Sequence, residues 1–138
     1  MANNSANLLR ASYGKIKEII DAARPVRTIN FMPFLLQTAA AANGNGAVLI
    51  TVGLTSLLVQ IVGITTATIN FEGSLDDVPT WVAVGAKPAS DFIGGTAVTT
   101  TAADGIWKVP VLGLRYFRAR ISGWSAGTIQ VTASICTQ

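Results

Sequence analysis

The chain has 138 residues, 50% of them hydrophobic and 12% charged, with a mean hydropathy of +0.48 and a formal charge of +3. That length suits one domain with a real core, and so apolar a chain is not a disordered one. There is no histidine and a single cysteine, Cys136. This excludes histidine-based nucleophile systems and general bases, histidine and thiolate metal sites, and an intrachain disulfide.

The first thirty residues differ from the rest. The opening MANNSANLLRASYGKIKEII lacks the continuous apolar stretch of a signal peptide, because charges interrupt it. Ile16, Ile19, Ile20 and Ala23 follow helical spacing, Ser12 is placed to cap the segment, and Pro25 stops it. The pattern predicts a short helix over about residues 13–24. It lies within an arm, residues 1–30, that carries five basic residues: Arg10, Lys15, Lys17, Arg24 and Arg27. Two acidic residues, Glu18 and Asp21, leave the arm at +3. A helix this short is marginal alone, so its isoleucine stripe needs a surface, either on its own domain or on a neighbouring subunit.

Residues 31–138 read as a single β domain. From Phe31 to Leu114 the charge is −3, and Arg115, Arg118 and Arg120 then return +3. Phe34 to Ala40 is a candidate strand, followed by an Asn43-Gly44-Asn45-Gly46 turn. The run from Ala47 to Phe71 holds no charge, and its length alone would permit a membrane span. Its β-branched and threonine content, its division by Gly53 and Gly63, and the lack of flanking Lys or Arg favour buried strands instead. Within it, Ala47–Val52 and Ser56–Val62 are strand-length. Thr68 to Glu72 alternates, with Ile69 and Phe71 facing inward.

A turn over residues 73–79 leads to a tryptophan strand, Thr80–Gly85. A loop over 87–95, a possible strand at 97–101 and a further strand, Ile106–Val111, come next. Residues Arg115–Ser122 and Gly127–Ile135 are the clearest strands. In the first, Phe117, Ala119 and Ile121 form one face, and Tyr116, Arg118 and Arg120 the other. In the second, Ile129, Val131, Ala133 and Ile135 oppose Thr128, Gln130, Thr132 and Ser134. Read as a hairpin turning at Ser122–Ala126, the two would pair Phe117 near Ala133 and Ile121 near Ile129. So many short strands imply a mainly β fold, an antiparallel β-sandwich or jelly-roll-like domain.

Few residues suggest chemistry. Glu72, Asp76 and Asp77 form the only acidic cluster, and turn-forming aspartates explain it better than a calcium or glycosidase site. The glycine pairs lack a phosphate loop's lysine and helix. Trp81 and Trp107 sit in alternating strands and read as core, whereas Trp124, beside Gly123 in the expected turn, reads as exposed and as a contact anchor. Basic residues are too sparse, and too little interleaved with aromatics, for a nucleic-acid surface. No catalytic, cofactor or metal residue emerges.

Two stretches, ATINFEGSLDDVPTWVAV and ADGIWKVPVLGLRYFRARISGWSAGTIQVTASI, resemble segments of tailed-bacteriophage virion proteins. The resemblance spans about residues 65–135 and is to head-decoration (cement) proteins and some fibre or tail components, which are β-sandwiches. A short polar link before the tryptophan is replaced here by Val78-Pro79. The resemblance implies a non-enzymatic structural protein, made in the host cytoplasm and seated on the virion's capsid surface. Its implied partners are the major capsid protein and copies of itself, commonly as a trimer, with no cofactor, nucleic acid or membrane. In this reading the basic arm residues attach to the shell, and Trp124, Tyr116, Arg118 and Arg120 are candidate interface residues. The alternative is a receptor- or carbohydrate-binding module of a tail or fibre.

Overall fold

A computed structural model describes residues 33–136, with the side chain of Cys136 left aside. The arm, its expected helix and its five basic residues lie outside the described residues. In chain order the strands are β1 (Phe34–Ala40), β2 (Leu49–Ile50), β3 (Ser56–Ser74), β4 (Val82–Ala83), β5 (Lys87–Pro88), β6 (Thr100–Thr101), β7 (Gly105–Pro110) and β8 (Tyr116–Cys136). One 3-10 turn, Ala89–Asp91, follows β5. All pairings are antiparallel, in the order β1-β8-β3-β7-β5. β2 adds to β8, while β4 and β6 add to β3.

Two long strands organise the domain. β3 has 19 residues, enough to run about 60 Å if straight. Its two ends instead meet the same short segment. The Val111 N–H donates to the Thr55 carbonyl just before β3, and the Arg115 N–H donates to the Ser74 carbonyl at its end. A bond from the Leu114 N–H to the Val111 carbonyl closes the turn between them. β3 therefore folds double, and β8 folds with it, from Ser56 opposite Cys136 to Ser74 opposite Tyr116.

The bend coincides with irregular register between Val62 and Thr68, where Ile64 faces Gly127 and Thr68 faces Ser122. Bulges supply the extra twist that lets a strand pair pass from one sheet to another. The first half of β3 and the second half of β8 make one layer with β1, β7 and β5. Their other halves make the second layer with β2, β4 and β6. The result is an antiparallel β-sandwich.

Because both strands fold toward one face, the same alternation stays inside on both sides of the bend. Leu57, Val59, Ile61, Ile69 and Phe71 of β3 are buried, as are Phe117, Ala119, Ile121, Ile129, Val131 and Ala133 of β8. Phe71 and Trp107 meet in the core at 6.2 Å, tilted by 44°. Gln37 is buried and satisfied, its amide donating to the Ala119 carbonyl at 2.8 Å. Asp104 braces the bend: its carboxylate accepts the N–H of Gly63 at 3.1 Å and of Ile64 at 2.9 Å. Asp104→Ala is expected to cost about 1 kcal/mol in urea unfolding, and Asp104→Asn less, since the amide keeps one acceptor.

The inward faces read from the alternation match the structure, except that Ile135 at the end of β8 is exposed. The hairpin does not form. Residues 122–126 lie inside β8, and the two segments read as partners each pair with β3 instead. Phe117 stands opposite Gly73, Ile121 opposite Ile69, and Ala133 opposite Val59. The strand expected at residues 80–85 shrinks to Val82–Ala83, and the one at 47–52 to Leu49–Ile50. The uncharged run supplies β2 and most of β3, and no helix among the described residues is long and apolar enough to cross a membrane.

Candidate functional site

The outer face of the second layer carries the densest polar constellation. Antiparallel register sets Glu72 of β3 opposite Arg118 of β8, and Asn70 opposite Arg120. One Glu72 oxygen accepts hydrogen bonds from Arg118 Nε at 2.8 Å and Arg120 Nε at 3.1 Å. The Arg118 guanidinium also lies 4.2 Å from the ring centre of Trp81. The side chains of Glu72 and Arg118 are each only 13% exposed, so water screens this pair weakly. Burial alone would push the Glu72 carboxyl up. The hydrogen bonds from Arg120 and Arg118, with their positive charges, outweigh it and hold the group below its ordinary value of 4.5. Asn70 completes the row, donating to the Arg120 carbonyl and to Ser122 Oγ.

The acidic cluster seen in the sequence comes apart in space. Glu72 turns to Arg118 and Arg120, and Asp77 pairs with Arg115. Ser74 Oγ accepts the N–H groups of Asp76 and Thr80, which shapes the turn these residues occupy. Among the described residues no three His, Cys, Asp or Glu side chains gather as metal ligands. Glu72 and Asp77 are thus each paired with arginine from β8 or the residue just before it.

The tryptophans divide differently from expectation. Trp107 is buried in β7. Trp81 is half-buried outside the core, beneath Arg118. Trp124 is also half-buried, packed against the core at the bend, with its indole N–H donated to the Gly127 carbonyl at 3.0 Å. Its backbone N–H is taken by Asn43 Oδ1 at 2.8 Å. Tyr116 is half-buried at the start of β8, opposite Ser74 and Ile50. The structure thus brings Arg118, Arg120 and Tyr116 onto one face and leaves Trp124 at the bend.

Opposite the bend, where both ends of β3 arrive, several apolar side chains are exposed beside the Asp76 and Asp77 turn. Ile50, Val52, Leu75, Val78, Val82 and Leu112 are all exposed there. A cavity of about 320 Å³ opens beside Leu75 and Val82, its lining completed by Gly73, Ser74, Asp76, Thr80, Val84 and Leu114. In the sequence the exposed residues fall in two expected strands, Ala47–Val52 and Thr80–Gly85, in the turn over 73–79, and just after Val111. Scattered exposed apolar residues need no explanation, but a contiguous set marks a contact surface.

No curated protein sequence matches the chain. Among solved structures, the SPBc2 prophage-derived protein YomS superposes with a TM-score of 0.67 at 19% identity, covering 80% of this chain and 98% of YomS. The PBSX exported protein XepA superposes with a TM-score of 0.69 at 20% identity, over 80% of this chain. The chain spans 39% of the length of XepA. At such identities the shared property is the sandwich, and both neighbours are phage proteins. A family model reaches further into the sequence itself. It aligns over residues 30–135, nearly all of the β domain and none of the arm before residue 30, and on that match the chain belongs to the XepA family.

Proposed function

We propose that this chain is a structural protein of a phage particle, acting as a decoration (cement) protein that binds and stabilises the head lattice. The observation that carries this reading is the apolar end of the sandwich. Exposed Leu75 and Val82 line a cavity there, and Ile50, Val52, Val78 and Leu112 add exposed apolar side chains of the kind that subunit contacts bury. Membership of a family whose structural neighbours are phage proteins supports the setting. The partners in this proposal are the major capsid protein and further copies of the chain, as a trimer. The carbohydrate-binding reading is less well supported, because the Trp81 ring is covered by Arg118 and Trp124 is half-buried against the core.

The description of XepA as exported favours a second reading, in which the protein acts free of the particle. Protein content of gradient-purified virions, compared with the particle-free lysate, separates the two. Stoichiometric protein on the head, seen as added density by electron microscopy, is expected. Protein found only in the particle-free fraction would reject the decoration role. Sedimentation equilibrium is expected to give a trimer, and a monomer at micromolar concentration would remove that part.

The arm has its own test. Deleting Met1–Arg27 is expected to leave the β domain folded by circular dichroism and to weaken co-sedimentation with particles lacking the protein. The lost part should be the salt-sensitive part, since the arm carries +3. Undiminished attachment would move the contact to the β domain.

A further inference from the structure

Five basic and five acidic residues fall within residues 33–136, and most are committed. The three arginines pair with Glu72 or Asp77. Asp104 holds the bend, and Asp91 accepts the Gly94 N–H. Among the described residues, Lys87 and Lys108 are the basic residues with no carboxylate within ion-pair distance. They are also together. The β5–β7 register sets Lys87 directly opposite Lys108. Both ammonium groups lie over the ring of Phe92, Lys108 at 4.2 Å and Lys87 at 5.8 Å.

Like charges directly opposite on paired strands repel, and the face of Phe92 offsets only part of that. The next residue, Ile93, is 95% exposed. The group stands at the rim of its layer, since β5 ends the strand order.

We infer that this corner is a docking site for a segment of a partner protein that carries carboxylates beside an apolar side chain. The carboxylates sit between Lys87 and Lys108, and the apolar group covers Ile93 and the edge of Phe92. Charge complementarity selects the acidic partner, because two adjacent ammonium groups without counter-charge gain most from a carboxylate. The exposed isoleucine selects a protein over a nucleic acid, which a longer basic track would serve better. Asp91 in the adjoining turn opposes a continuous polyanion. The inference rests on the proposal that the chain attaches to another protein, and it places part of that attachment on the β domain.

The test titrates isotopically labelled full-length protein, followed by amide resonances, with a synthetic peptide alternating glutamate and leucine. A DNA oligonucleotide of equal charge serves as the second probe. Expected are peptide-induced shifts confined to residues 86–94 and 106–109, weakening as salt rises. Affinity should fall roughly tenfold or more in Lys87→Gln/Lys108→Gln and in Ile93→Ser. Lys108→Glu is the sharper variant, since it replaces a repelling pair by an attracting one. It should raise the melting temperature while abolishing peptide binding.

A lowered melting temperature with unchanged binding would make the lysines structural and overturn the inference. So would shifts elsewhere, or equal binding of the DNA at this corner. Peptide binding here by a protein absent from particles would reject the decoration role and support the corner. Full particle attachment by Lys87→Gln/Lys108→Gln would reject the corner alone.

Discussion

Gly63→Val is expected to destabilise the protein by about 4 kcal/mol or more, enough to threaten a fold whose total stability is of order 5–15 kcal/mol. Gly63 has φ +93° at the bend of β3, and a Cβ there would overlap the carbonyl oxygen of Thr128 on β8. The left-handed conformation alone costs a side-chain-bearing residue about 1–2 kcal/mol. Overlap with a backbone carbonyl cannot be relieved by a rotamer change, so the bulge itself must open. The hydrogen bonds that Gly63 and Ile64 donate to Asp104 would go with it. Gly53→Ala is the control. Its φ is +82°, but a Cβ there meets open space, so only the backbone cost, about 1 kcal/mol, is expected. Equal urea midpoints for the two variants would refute this account of the bend.

Glu72→Ala is expected to cost about 2–4 kcal/mol, because it strands a mostly buried guanidinium. Arg118 would keep the ring of Trp81 but lose its one carboxylate partner among the described residues, and Arg120 would face it with like charge. The same pair sets an acid response. The Glu72 carboxyl titrates lower in the folded chain than its ordinary 4.5, so the folded state holds fewer protons than the unfolded one in that range. Its contribution is therefore fully present above about pH 4.5 and is lost as pH falls through the folded value. Urea midpoints measured from neutral pH down to about pH 3 should converge for wild type and Glu72→Gln. Curves that stay parallel across that range would show that the carboxylate contributes nothing through its charge.

Much of the sandwich was legible in the chain, and the errors have one physical source. Alternation identified the buried faces around Phe71, Phe117 and Val131, because period-two burial is a local property. It placed Arg118 and Arg120 outside correctly, yet it named no partner for them, since Glu72 is distant in sequence. The misread hairpin is more instructive. Ser122-Gly123-Trp124-Ser125-Ala126 has the glycine and small residues of a tight turn, and a bulge at a sheet bend uses the same ones. What decides between them is the matching irregularity at Val62–Thr68, in another strand. The Lys87–Lys108 contact was illegible for the same reason: Lys87 stood in an expected loop, and its two-residue strand exists only because β7 pairs with it.

The pairing of β3 with β8 also dictates an order of events in the cell. β3 ends at Ser74 and the strand that covers its length begins only at Tyr116, so the ribosome delivers β3 well before its principal neighbour. Until then a 19-residue, mostly uncharged segment has unsatisfied backbone edges, which nascent copies on one messenger could offer to each other. Contacts this far apart in sequence form slowly, on the millisecond-to-second scale of all-β domains. Slower translation at low temperature is therefore expected to raise the soluble yield, measured against synthesis at high rate.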